Sequence, residues 1–171
     1  MLSAYRELAA AREAQGVPAL PLNAEQTQGL TELLQNPPAG EEEFLLHLLS
    51  ERIPPGVDEA AYVKATWLSA VAQGDAKSPL VSPLEATRLL GTMVGGYNVA
   101  ALIELLKHSD AALPACPLEG LTRTLLAYDA FNEVMDLAAD NRFAKQVLDS
   151  WAPAEGSPAN PELPGTSPVP A

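Results

Sequence analysis

The sequence predicts an all-α fold of short helices stacked in consecutive pairs, a solenoid of about 8–9 helices. Three observations predict it. Helix start and stop signals recur from Ser3 to Trp151 with little chain between them. No segment alternates apolar and polar residues with period two, so no strand is expected. Part of the chain also repeats at a spacing suited to one helix pair. Pro83-Leu84-Glu85 returns as Pro117-Leu118-Glu119, and Tyr97-Asn98 as Phe131-Asn132, both at an offset of 34. Arg88 and Leu90 return as Arg123 and Leu125 at an offset of 35.

Ser3 is positioned to cap a first helix reaching Gln15, which Gly16 and Pro18 end. Asn23 followed by Gln26 has the form of a capping box, opening a second helix with Leu30, Leu33 and Leu34 on one face. Pro37 and Pro38 stop it, because a proline disfavours helical geometry in the residue before it. Glu41, Glu42 and Glu43 follow Gly40 and suit a first helical turn, where the helix dipole favours negative charge. Phe44, Leu45, Leu48 and Leu49 form the buried stripe of that third helix.

Pro54-Pro55-Gly56 breaks the chain, and Asp58 caps a fourth helix ending at Gln73 before Gly74. Val63, Trp67 and Val71 should face inward there. Ser82-Pro83-Leu84-Glu85 combines an N-cap, a proline at the first helical position and an acid at the third, opening a fifth helix that ends between Gly91 and Gly96. A sixth runs from Asn98 to His108, and three more fit Pro117–Ala127, Asp129–Ala138 and Arg142–Trp151. Residues 1–151 therefore form one helical domain, within the size that buries a core without a disulfide or metal. Residues 152–171 hold six of the 16 prolines, no Lys or Arg, and only Leu163 and Val169 as sizeable apolar groups. Such a tail cannot offset its ordering entropy and is expected to be disordered.

Charge and composition exclude several functions. With 22 acidic and 10 basic residues the net charge is −12, shared by both halves, so a phosphate backbone would be repelled and nucleic acid is not expected to bind this domain alone. No window approaches a membrane span, and Met1–Gly16 lacks the apolar core of a secretory signal, so no membrane is expected and the cytoplasm is the expected compartment. Cys116 is the only cysteine, which rules out an internal disulfide and fits a reducing compartment.

Few residues could do chemistry. His47 lies on a helix with no nucleophile or second ligand at fixed spacing, and His108 ends a helix, where a cation suits the dipole. Cys116 has no basic neighbour in sequence and reads as an inert structural or loop thiol. Glu41–Glu43 diverge around a helix and so make a solvated helix start rather than a metal site. Gly91–Gly96 lacks the lysine and preceding strand of a phosphate loop; it reads as a tight turn, with Gly95 and Gly96 at positive φ. No catalytic, cofactor-binding or metal residue is assigned. The candidate interaction surface is Arg88, Thr92, Tyr97 and Asn98. The bland alternative is that Tyr97 packs in the core and Asn98 caps the next helix.

Five segments carry a family resemblance: NPPAGEEEFLLHLL (Asn36–Leu49), RIPPGVDEAAYVKA (Arg52–Ala65), KSPL (Lys77–Leu80), LLGTMVGGYN (Leu89–Asn98) and AKQVLDSWA (Ala144–Ala152). Through them residues 1–151 resemble the N-terminal HEAT-like domain of bacterial aconitase B, the bifunctional aconitate hydratase/2-methylisocitrate dehydratase. The resemblance implies a right-handed HEAT-like superhelix that packs beside a catalytic core, helps shape its substrate tunnel and supports dimer formation. It also implies that the [4Fe–4S] ligands lie on another domain, so no cofactor is expected here. His108–Gly120 departs from the family's pattern. The expected activity is recognition of a protein, either an aconitase-type or other metabolic enzyme or a second copy of this chain. Two alternatives accompany it: an N-terminal piece of an aconitate hydratase whose active site lies elsewhere, and an RNA-linked regulatory domain, since family members bind mRNA on losing their cluster.

Overall fold

In a computed structural model, which describes residues 1–107, 115–123 and 130–155, the chain is helical throughout its regular structure. The side chains of residues 115 and 152–155 are not part of that description. His108, Asp129 and residues 156–171, on which expectations for a helix end, a helix start and a disordered tail fall, lie outside it. Among the described residues there are nine helices: α1 (Leu2–Glu13), α2 (Ala24–Gln35), α3 (Glu42–Glu51), α4 (Glu59–Gln73), α5 (Pro83–Gly91), α6 (Val99–Leu106), α7 (Ala115–Arg123), α8 (Phe131–Leu137) and α9 (Arg142–Glu155).

The punctuation works as the residue types dictate. Asn23 and Gln26 close a reciprocal capping box on α2, each side chain bonded to the other's backbone N–H. Asp58 accepts from Ala61 N at 3.1 Å and Ser82 from Glu85 N at 3.2 Å. Gly74 ends α4 with φ +88°, a left-handed conformation that only glycine adopts cheaply.

Three expectations are corrected. Ser3 lies inside α1, whose N-cap is Met1 without a side-chain bond. What fixes α1 is tertiary: Tyr5 is buried, its hydroxyl accepts from Arg52 Nε at 3.1 Å, and Arg6 pairs with Glu41 while stacking 4.3 Å over Phe44. α7 begins at Ala115, ahead of Pro117, so Cys116 belongs to a helix and not to a loop. α9 continues to Glu155, one turn past Trp151 and through Pro153. Its start also has a cap the sequence reading missed. Asn141 Oδ1 accepts from Phe143 N and Ala144 N, while its Nδ2 donates to Leu106 O at 2.9 Å and ties α9 to the end of α6.

One apolar core runs through the described helices, from Leu30 and Leu34 of α2, through Leu48, Leu68 and Leu90, to Leu102, Leu121 and Val147. Val63 is only half-buried; the inward face of α4 is Ala61, Lys64, Leu68 and Val71 with Trp67 beside it. The principal helix contacts join elements no more than two apart in order, among them α2 with α4, α4 with α5, α5 with α7 and α7 with α9. Nearest-neighbour contact of this kind is what stacked helical repeats make. The repeated Pro-Leu-Glu segments fall on α5 and α7, which cross where Gly91 and Gly120 meet. A Cβ on Gly120 would stand 2.8 Å from Gly91 Cα, so the crossing requires the absence of a side chain.

Loops are fastened by side chains as well. Ser78 donates to Leu34 O at 2.6 Å and accepts from Leu80 N and Val81 N, which binds the connection before α5 to the end of α2. Trp151 Nε1 donates to Leu121 O at 2.8 Å, closing α9 onto α7.

Candidate interaction surface

Two loops far apart in sequence meet before α4 and before α6. Pro54-Pro55-Gly56 cannot continue a helix, and Gly91–Gly96 ends α5, so both segments are free to turn toward each other. Val94 N donates to Pro55 O at 2.9 Å. Gly95 lies so close to Gly56 that a Cβ would fall 1.9 Å from Gly56 O. The Tyr97 hydroxyl donates to Val57 O at 2.9 Å. Of the two glycines expected at positive φ, only Gly96 has it, at +88°; Gly95 is required for space and not for conformation.

The four expected surface residues part company. Asn98 is 1% exposed, and its Nδ2 donates to Leu90 O at 2.7 Å and Met93 O at 3.2 Å. It occupies the N-cap position of α6 without capping it, and instead satisfies carbonyls at the end of α5. Tyr97 is 41% exposed, so it is not a core residue. Arg88 and Thr92 line a different depression of about 210 Å³ between α5 and α7, together with Cys116, Glu119 and Arg123. Both arginines there pair with a glutamate of their own helix, Arg123 with Glu119 at 2.7 Å and Arg88 with Glu85 at 3.9 Å. Folding therefore brings two arginines to the depression that Cys116 lines, which the sequence around Cys116 did not show.

Around the paired loops stand apolar groups that the sequence reading did not single out. Val57, Val94 and Tyr62 are 72%, 63% and 57% exposed, and the Tyr62 and Tyr97 rings meet edge to face at 5.4 Å. A groove of about 410 Å³ runs from this pair between α4 and α6, floored by Ala65, Ala70, Ala100 and Ala101. Its carboxylates are Asp75 and Glu104. A second cleft of about 420 Å³, between α6 and α8, adds Glu133. Lys107 stands between the clefts, bonded to Glu104 and 3.8 Å from Glu133, and the Glu104 hydrogen bond with both charges raises its pKa above the ordinary lysine value. A signal for Tyr62 was present: it heads a stripe of Thr66, Ser69 and Gln73 on α4, an aromatic on an otherwise polar face.

The other titratable candidates are accounted for structurally. Glu41 accepts from Arg6, and that hydrogen bond holds its carboxyl below the usual carboxylate range. His47 is exposed on α3. Among the described residues no three His, Cys, Asp or Glu side chains gather closely enough to hold a metal, and none of the helices is long and apolar enough to cross a membrane.

The fold and this surface define an all-helical domain whose described residues carry an exposed apolar ridge. The chain belongs to the aconitate B N-terminal domain family, whose pattern matches residues 4–156. It is 58% identical over 165 residues to aconitate hydratase B of Pseudomonas aeruginosa, covering 96% of this chain and 19% of that protein. It is 56% identical over 156 residues to aconitate hydratase B of Escherichia coli K12, covering 91% and 18%. Its identity to aconitate hydratase B of Helicobacter pylori J99 is 42% over 154 residues, covering 90% and 18%. The chain thus spans about a fifth of the length of the curated relatives it matches.

Proposed function

We propose that this chain is the helical N-terminal part of an aconitate hydratase, a docking scaffold that carries none of the reacting groups. The observation that carries this reading is the match over residues 4–156 to a domain occupying 19% of enzymes named aconitate hydratase B. The donor set supports it. A [4Fe–4S] cluster needs several thiolates, and Cys116 is the only cysteine of the chain, so these residues do not fit that group. Aconitate hydration and the cluster then belong to the rest of the enzyme's length, and this domain works by packing against it in the cytoplasm.

The test uses the 171-residue chain and the Pseudomonas aeruginosa enzyme lacking its matching 165 residues. The chain alone should give no hydration of aconitate. Mixed with the truncated enzyme, it should co-sediment as a single complex. Turnover by the chain alone would overturn the non-catalytic reading, and separate sedimentation of the two would overturn the docking reading.

A further inference from the structure

We infer that the docking face is the ridge of Val57, Tyr62, Val94 and Tyr97 with the α4–α6 groove beside it, and that its occupant is the catalytic part of an aconitate hydratase B-type enzyme, meeting it with an apolar patch rimmed by lysine or arginine. This rests on the reading above and assigns the surface that performs it.

The ridge is exposed, apolar and stiff together. Its four side chains are between 41% and 72% exposed. Most other large exposed apolar groups, Leu8, Val17 and Leu20 among them, lie along the N-terminal arm or stand singly on helices. The ridge, in contrast, is assembled from the start of α4 and two loops 40 residues apart, the loops joined by the Tyr97–Val57 and Val94–Pro55 hydrogen bonds and the Gly95–Gly56 contact. Behind it the buried Asn98 ties the start of α6 to the end of α5. A surface ordered in advance loses little entropy on binding, and tyrosine is enriched among residues that dominate interfaces. The alanine floor of the groove lets a partner backbone or helix approach closely.

Charge selects the occupant. Asp75 and Glu104 border the groove, Glu133 the next cleft, and Asp58 and Glu59 follow Val57. Lys107 is the cation bonded among them. A second copy of this chain would bring another net charge of −12 against that border. The segment 156–171 contains no Lys or Arg and one carboxylate, Glu162, so it offers no complement either. What remains is the length that this chain lacks relative to enzymes of which it spans 19%.

The decisive measurement is sedimentation and titration of the full chain against the truncated Pseudomonas enzyme, with Tyr62→Ser/Val94→Asp as the ridge variant and Leu8→Asp as a control on the N-terminal arm. All three positions are exposed, so circular dichroism and thermal unfolding should match the parent. The ridge variant should bind about 30-fold more weakly or not at all, and the control should bind like the parent. If the parent binds and the ridge variant binds equally well, the ridge assignment is wrong while the docking reading stands. If the parent does not bind, both fail. Concentration-dependent dimers abolished by the ridge variant would make a second copy the occupant and overturn the proposal; so would ridge protection that vanishes on deleting residues 156–171. Should the truncated enzyme not fold, a chimera carrying this chain in place of the matching 165 residues answers the question by amide exchange. Residues 55–62 and 92–98 should be protected in the chimera relative to the free chain, and equal exchange would overturn the assignment.

Discussion

Gly95→Ala tests whether contact between the two loops, rather than loop conformation, fixes this region. A Cβ at Gly95 would lie 1.9 Å from Gly56 O, 2.3 Å from Gly56 C and 3.0 Å from Val57 N, all backbone atoms that no rotamer change can move aside. The loops must separate. Separation breaks Val94 N–H to Pro55 O and Tyr97 O–H to Val57 O, both 2.9 Å. At a net worth of about 0.5–1.5 kcal/mol each, the loss is about 1–3 kcal/mol. For a domain of this size, a loss of about 2 kcal/mol lowers Tm by about 4–8 °C. Urea unfolding followed by circular dichroism should show the midpoint falling with the slope unchanged. The companion variant Gly56→Ala puts its Cβ into open space, at a residue without positive φ, and should stay within about 0.5 kcal/mol of the parent. Equal stability of Gly95→Ala and Gly56→Ala would refute the reasoning, since the two differ chiefly in what the new methyl meets.

Asn98→Ala removes the donors to Leu90 O and Met93 O in a buried setting and should cost about 1–3 kcal/mol in urea unfolding; a neutral result would mean water replaces the amide. Gly120→Ala should cost about 1–3 kcal/mol, because its methyl meets Gly91 Cα and Leu102 at the α5–α7 crossing; thermal unfolding decides. Lys64 is 2% exposed on α4, and burial lowers its pKa against the opposing charge of Glu51. The folded state therefore holds this proton less tightly than the unfolded chain, so the cost of burying the charge is full below the lowered pKa and fades as pH rises toward 10.5. Lys64→Met should be more stable than the parent near neutrality, with the gap narrowing in alkaline urea titrations; a gap independent of pH would remove the buried-charge account. Trp151→Phe keeps the ring in the core but strips the donor from Leu121 O, and should cost about 0.5–1.5 kcal/mol, read as a lower unfolding midpoint.

Local rules carried most of the helix boundaries. Asn23, Asp58, Ser82 and Gly74 act through bonds no more than a few residues long, so their residue types suffice to read them. Where a boundary depends on distant chain, the sequence misled. Ser3 looked like a cap, yet α1 is positioned by Arg52 and Glu41. Asn98 looked like a cap or a contact residue, yet its amide serves Leu90 in α5 and Met93 in the loop that follows it. The site was the least legible part. Tyr97 was among the candidates, but Val57, Tyr62 and Val94 join it in one ridge only through a contact between residues 55–57 and 94–97. Arg88 and Thr92, candidates alongside Tyr97, line a different depression from it.

That pattern bears on what the domain is for. A glycine pressed against another backbone, an asparagine buried to serve two carbonyls and a tyrosine hydroxyl anchored 40 residues away are all expensive to arrange, and all converge on one small region. If the region served stability alone, the ordinary solution would cover it with apolar side chains turned inward. Instead the bonded backbone holds Val57 and Val94 outward and leaves two tyrosine rings packed edge to face at the mouth of a groove. An exposed apolar ridge carries a solubility cost in a free chain and a benefit in a covered one. The scaffold reading and the ridge assignment thus draw on the same physical fact: here the fold spends its internal hydrogen bonds on keeping apolar groups at the surface.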